Sequence, residues 1–356
     1  MTPLEDLLLQ RIAATGPLSV AEYMAECLLH PEHGYYTTRA PFGAEGDFTT
    51  APEISQLFGE MIGLCLAQAW IDRGRPAPFC LAELGPGRGT LMADIWRVTR
   101  AVPGFREAAR VTLVEASPKL RARQAETLGG AAPAWCGSAG ELPELPLFLV
   151  ANEFFDALPV RQFQRDPGGW RERQIGLEDG RLALGLGPAA PFAQLGHRLE
   201  DTAPGGIVEI CPALPAVTGE IARRIRSHGG AALVIDYGGW HSLGDTLQAV
   251  RRHEMVPVLD SPGQADLTAH VDFEAIAAAA EGCQVTPMVP QGVFLERLGI
   301  TERARALASR LSGPALEAHV AAHRRLTHPD EMGTVFKTLG IASEGSPPVP
   351  GLYPWP

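Results

Sequence analysis

The 356-residue chain is 46% apolar and 20% charged, with a net charge of −11. That length suffices for one large or two modest domains with a sizeable core. The acidic balance excludes broad binding to nucleic acid or anionic membrane, which needs an excess of Lys and Arg. Cys27, Cys65, Cys80, Cys136, Cys211 and Cys283 are scattered, with no CxxC and no Cys–His spacing suited to zinc. Reduced, buried thiols are therefore expected. The first residues, MTPLEDLLLQRIAATG, carry Glu5 and Asp6 and lack a basic segment followed by an apolar one. Neither a signal peptide nor an Arg-rich transit peptide is expected there. No apolar run approaches the ~20 residues that span a bilayer. The expected location is cytoplasmic, without membrane insertion.

Residues 1 to about 75 read as helical, interrupted by the stretch PFGAEGDFTTAPE. After it, Ile54, Leu57, Phe58, Met61, Cys65 and Ala69 recur at three- and four-residue spacing, which predicts one amphipathic helix. Thr50 and Glu53, in T-x-x-E order, predict a capping box at its start. From about residue 79 short apolar runs alternate with helical patterns, as in a parallel sheet. FCLAEL, RVTLVEAS, LFLVANEFFDALP and GGAALVIDYGG are the predicted strands. GTLMADIWRVTRAV and PKLRARQAETL are predicted helices, the second opened by Ser117 as cap and Pro118 in the first turn. Between about 160 and 215 a Gly-rich polar/apolar alternation predicts an insertion of antiparallel hairpins. CQVTPMVP and GTVFKTLGIA complete the predicted sheet. The Pro-rich end, SEGSPPVPGLYPWP, predicts an extended tail over 343–356.

The stretch LAELGPGRGTL places Gly85, Gly87 and Gly89 at alternate positions, directly after a strand containing Glu83. A Walker A loop needs GxxxxGK[ST], and no Lys is present here. The dinucleotide fingerprint GxGxxG needs glycine where Thr90 stands. The remaining pattern, E-x-G-x-G-x-G, is the one by which class I methyltransferases bring bare backbone against the methionine part of S-adenosyl-L-methionine (AdoMet). An acid at the end of the next strand, to accept hydrogen bonds from both ribose hydroxyls, is the second requirement, and Glu115 meets it. NAD also uses a ribose acid, so on these residues a nicotinamide-dependent oxidoreductase remains a rival reading.

Six ordered stretches carry a wider resemblance: FGAEGDFTTAPEISQLFGEMIG, ELGPGRGTLMADIWR, ANEFFDALPVRQF, DTLQAVRRH, ADLTAHVDF and MGTVFKTLGIA. From about Gly34 to Ala342 the chain resembles the MidA-like methyltransferases, a family that includes the mitochondrial arginine methyltransferase needed for assembly of respiratory complex I. The resemblance implies an α/β fold with a Rossmann-like seven-stranded class I methyltransferase sheet, an N-terminal helical extension and an inserted β-hairpin region. The implied division is a helical extension and cofactor lid over 1–75, a methyltransferase domain over 76–342 and the tail. The implied activity is AdoMet-dependent protein arginine methylation. The product expected from it is symmetric dimethylarginine on a catalytic-core subunit of complex I. The resemblance also implies that the loop Gly46–Thr50 touches the cofactor, which adds Thr49, Thr50 and Glu53 to Glu83, Gly85, Gly87, Gly89, Thr90, Glu115 and Asn152 as expected AdoMet-binding residues.

Loops at the carboxyl ends of parallel strands border the ligand crevice, so NEFFDALP brings Asn152, Glu153 and Asp156 to it. Guanidinium has a pKa above ~12, and its methylation calls for a carboxylate that orients the nitrogen and accepts a proton. Glu153 and Asp156 are the candidate catalytic acids. Asp236 and Tyr237, ending a later strand, are candidate substrate-pocket residues. His253, Asp266 and His270 join them as polar groups in an apolar C-terminal half. Their loose spacing favours hydrogen-bonded support over a metal site, and no metal is expected. A reading from a different class is an AdoMet-binding assembly chaperone, because the helical extension and hairpins offer ample surface for a protein partner.

Overall fold

Continuous apolar runs predict strands buried on both faces of a parallel sheet, and FCLAEL, LFLVAN and GGAALVIDYGG form strands of that kind. In the computed structural model, which describes residues 2–38 and 50–353, β1 (Phe79–Leu84) and β4 (Leu147–Asn152) are buried at every position. With β2 (Ala109–Val114), β3 (Ala134–Cys136), β5 (Gly230–Gly239), β6 (Cys283–Val285) and β7 (Phe336–Ser343), they form one path in the order β6-β7-β5-β4-β1-β2-β3. The strands from β5 to β3 are parallel to their neighbours. β7 runs antiparallel between β5 and β6. Val289–Pro290 also pairs with β7, so the sheet holds more strands than the seven expected. The chain leaves β1 toward β2 and β3, then returns to β4 on the other side. The carboxyl ends of β1 and β4 are thus the switch point at which open α/β sheets bind ligands.

Residues 49–155, 215–240 and 273–356 make up this sheet unit. Its helix α1 (Gln56–Asp72) is buried almost all round, including Leu57, Phe58, Ile62, Leu66 and Trp70. Trp70, Phe79, Phe105 and Phe148 pack edge-on or tilted at centroid distances of 5.0–5.7 Å. The single helix expected from Ile54 onward is two helices. Ala51–Ile54 ends at Ser55, whose extended backbone (φ −160°) lets its hydroxyl cap α1 at Leu57. Thr50 makes no side-chain capping bond. Ser117 does cap α3 (Pro118–Leu128), which follows α2 (Thr90–Val98) in the chain.

The Pro-rich end departs from the extended tail read in the sequence. Val349 and Leu352 are fully buried. Proline cannot pair in a ladder, and arginines supply the missing donors. Arg73 reaches the Pro347 carbonyl, and Arg297 reaches those of Gly351 and Tyr353.

Residues 1–48, 156–214 and 241–272 form a second unit. Here the helices Pro3–Thr15 and Val20–Leu29 start with complete capping boxes, Thr2 with Glu5 and Ser19 with Glu22. Leu18–Ser19 pairs with Gly169–Glu178, which also pairs with Arg161–Asp166 and Arg181–Leu186 in antiparallel hairpins. A smaller sheet joins Gln248–Arg251 to Glu254–Val256 and Asp266–Thr268. The division at residue 75 does not match these units. Residues 50–72 pack with the large sheet, and 241–272 group with the N-terminal helices and hairpins.

Candidate functional site

The glycine-rich turn leaves β1 with positive φ at Gly85 (+60°), Gly87 (+51°) and Gly89 (+82°). This left-handed backbone favours glycine at each position. At Gly85 space adds a second reason: a Cβ would lie 2.9 Å from the Phe154 ring. A Cβ at Gly89 would lie 3.4 Å from Gln124 Cγ, so this glycine lets α3 approach the turn. The Gly85 N–H donates to the Val114 carbonyl (3.1 Å), joining the turn to the end of β2.

Two acids of very different surroundings flank this turn. Glu83 is buried inside β1, and burial pushes its carboxyl up to about 8, against a hydrogen bond from the Met92 N–H that favours the charged form. Glu115 follows β2; burial raises its pKa, while the Ser117 N–H and the Gln124 amide oppose the rise. Glu115 Oε1 accepts from the Ser117 N–H at 2.8 Å and Oε2 from Gln124 at 3.2 Å. Gln124 was not among the residues expected here. Its signal was nonetheless in the sequence, as a polar side chain at four-residue spacing between Leu120 and Leu128 on the buried face of α3.

Glu53 does not complete a capping box. Its carboxylate accepts from the Thr90 hydroxyl (2.6 Å) and Arg88 (3.4 Å), which draws the Ala51–Ile54 helix to the glycine turn. Thr49 lies outside the described residues, as does the rest of the 46–49 stretch.

Across the switch point, β4 ends at Asn152, and Glu153 follows with φ +51°. Such a conformation is uncommon for a residue with a Cβ and needs holding by its neighbours. Glu153 Oε1 accepts from the Ala51 N–H and from Asn152 Nδ2, both at 3.1 Å. Asp236, a candidate for the substrate pocket, is fully buried and accepts from backbone N–H groups. Its Oδ2 accepts from the N–H groups of Phe154 (3.2 Å) and Phe155 (3.0 Å). Tyr237 sits edge-on to Phe336 at 5.5 Å.

Asp156, His253, Asp266 and His270 belong to the second unit. Asp266 accepts from the Tyr36 hydroxyl with both oxygens, at 2.8 and 3.0 Å. His253 is exposed in a two-residue hairpin turn with Arg252, both at positive φ, and His270 is also exposed. The His270 N–H donates to the Thr246 hydroxyl at 2.8 Å. Asp156 is buried, and its carbonyl accepts from the Ala269 N–H. Among the described residues no three His, Cys, Asp or Glu side chains gather as a metal site requires. No helix among them is long and apolar enough to cross a membrane.

The polar groups at the switch point fit AdoMet. Among the described residues Glu83 Oε2 and Asn152 Oδ1 are buried oxygens without a hydrogen-bond partner. Such unpaired polar atoms suit a polar ligand. The half-buried Glu115 keeps lone pairs beyond those its two neighbours occupy.

Residues 61–291 match the S-adenosyl-L-methionine-dependent methyltransferase family Methyltransf_28. The chain is 37% identical over 375 residues to the rat mitochondrial protein arginine methyltransferase NDUFAF7, covering 96% of this chain and 84% of that protein. With the human protein of the same name it shares 36% over 371 residues, covering 96% and 83%. A crystallised Burkholderia thailandensis protein bound to S-adenosyl-homocysteine is 30% identical, with a TM-score of 0.84 over 98% of this chain and 94% of that one. These relations remove the nicotinamide reading. They also overturn the cytoplasmic location, because the curated relatives are named as mitochondrial. The acidic first residues argued only against particular leader peptides, and that is not evidence for a compartment. The chain belongs to the MidA-like family of S-adenosyl-L-methionine-dependent methyltransferases, and S-adenosyl-L-methionine is its cofactor.

Proposed function

We propose that the chain methylates arginine side chains of a protein, forming symmetric dimethylarginine on a catalytic-core subunit of respiratory complex I. The observation that carries the arginine acceptor is similarity, over nearly the whole chain, to relatives named protein arginine methyltransferase. The product and the subunit rest on the family resemblance of the six sequence stretches.

AdoMet, when bound, supplies a methyl group already activated on a sulfonium, so the residues act chiefly by positioning and by excluding water. In this reading the turn Gly85–Gly89 offers its backbone to the methionine part, and Glu115 accepts from the ribose hydroxyls. The free Asn152 Oδ1 suits the cofactor's ammonium group. Glu153 orients the guanidinium and draws off the proton that nitrogen loses on methylation. Its left-handed backbone and its bonds to Ala51 and Asn152 hold the carboxylate in place before substrate arrives.

The test is incubation with methyl-labelled AdoMet and the purified candidate subunit, followed by mass spectrometry. Label on arginine as the symmetric dimethyl form is expected, and a subunit without labelled arginine overturns the target. A Glu153→Gln variant retains an amide oxygen to accept from Ala51 and Asn152. It is expected to keep S-adenosyl-homocysteine (AdoHcy) affinity within about twofold while losing about a hundredfold in turnover, the range of a lost acid–base group. Unchanged turnover removes Glu153 from the chemistry.

A further inference from the structure

Gln124 is fully buried on α3, a helix that otherwise turns leucines inward. All the hydrogen-bonding groups of its carboxamide that face protein are used. Nε2 donates to the Gly87 carbonyl at 2.8 Å and to Glu115 Oε2 at 3.2 Å. Oε1 accepts from the Trp135 indole N–H at 2.8 Å. An indole nitrogen can only donate, and an amide has two donors on nitrogen with its acceptor on oxygen. The orientation is therefore determined. A reversed amide would set its oxygen against a carbonyl and a carboxylate, and its NH₂ against the indole N–H.

We propose that Gln124 is a positioning residue for the cofactor, locking the middle of the glycine turn to the ribose-binding acid through one amide whose direction Trp135 sets. The proposal rests on the reading of Glu115 and the glycine turn as AdoMet contacts. Gly87 follows β1, Glu115 follows β2 and Trp135 lies in β3. A single side chain from α3 therefore links the loops after β1 and β2 to β3. The absent side chain at Gly89 lets the helix come close enough, with Gln124 Cγ only 3.4 Å from where a Cβ would stand. A buried glutamine serving the fold alone would stabilise the protein without altering how Glu115 meets a ribose.

The experiment is calorimetric titration of AdoHcy and of its 2′-deoxyribose analogue into the wild type, Gln124→Leu, Trp135→Phe, Glu115→Gln and the Gln124→Leu/Glu115→Gln double variant. Urea unfolding of each ligand-free protein runs alongside. Gln124→Leu is expected to weaken AdoHcy about tenfold or more and to shrink the preference for AdoHcy over the deoxy analogue. Trp135→Phe, which leaves the amide in place but undirected, should weaken AdoHcy by a smaller factor of about three. The double variant should lose less than the product of the two single losses, as coupled neighbours do.

Loss in Glu115→Gln with none in Gln124→Leu overturns the positioning role alone. Loss in neither overturns the reading of the site on which it rests. A Gln124→Leu protein that is less stable, yet binds AdoHcy and discriminates the ribose like the wild type, shows a structural glutamine only. If Gln124→Leu fails to fold, Trp135→Phe decides, and unchanged affinity and ribose preference in that variant overturn the proposal.

Discussion

The two acids beside the glycine turn, Glu83 inside β1 and Glu115 just after β2, have different electrostatic surroundings. Glu115 has a backbone N–H and an amide to steady its charge, whereas Glu83 sits in a strand buried from end to end. Burial pushes the Glu83 carboxyl from its ordinary 4.5 up to about 8. A folded-state pKa above the unfolded one means that the native state binds the extra proton between those values. The stabilisation is complete below pH 4.5 and is lost as pH rises through about 8. Glu83→Gln keeps the shape and removes the titration. The ligand-free wild type is expected to lose stability to urea across that window, with a flatter profile in the variant. Equal slopes would show that Glu83 titrates normally.

At the level of elements, helix signals were read correctly where the partner was a local backbone group, as with Ser117 and α3. They misled where a distant side chain competed. Thr50 and Glu53 have capping-box spacing, but the Glu53 carboxylate is taken by the Thr90 hydroxyl, 37 positions away. The Pro-rich end misled for a related reason. Low helix and strand propensity was taken for lack of packing, while Arg73 and Arg297 serve its carbonyls and Leu352 fills the core. Leu352→Ala is therefore expected to cost about 2–4 kcal/mol in urea unfolding, the usual loss for a buried leucine. AdoHcy affinity should stay unchanged. A truly extended tail would give a change within about 0.5 kcal/mol, as exposed positions do.

For the whole molecule, strand order matters more than any one element. The reversal between β1 and β4 gathers the turns after β1, β2 and β4 at one edge of the sheet. AdoHcy binding should therefore slow amide hydrogen exchange in three separated stretches, 83–90, 115–124 and 152–155. The exposed hairpin strand Arg181–Leu186 should exchange as before. At a hundredfold excess over Kd the ligand should add about 2.7 kcal/mol of stability. Protection at only one stretch, or spread evenly over the chain, would count against a cofactor held at the switch point.

Read alone, the sequence determined what depends on neighbours within a few positions: the alternation of strands and helices, the glycine turn after β1 and the acid just after β2. Those features follow from backbone sterics, hydrophobic period and local hydrogen bonds, all of which are written in short spacings. Only the tertiary structure decided which polar side chains meet. Gln124 finds the Gly87 carbonyl, Asp236 finds the N–H groups of Phe154 and Phe155, and Glu153 finds the Ala51 N–H. It also decided that 241–272 groups with the N-terminal helices. These pairings join groups between 37 and 102 positions apart. No local period records them, because they arise only when the sheet brings its strand ends together.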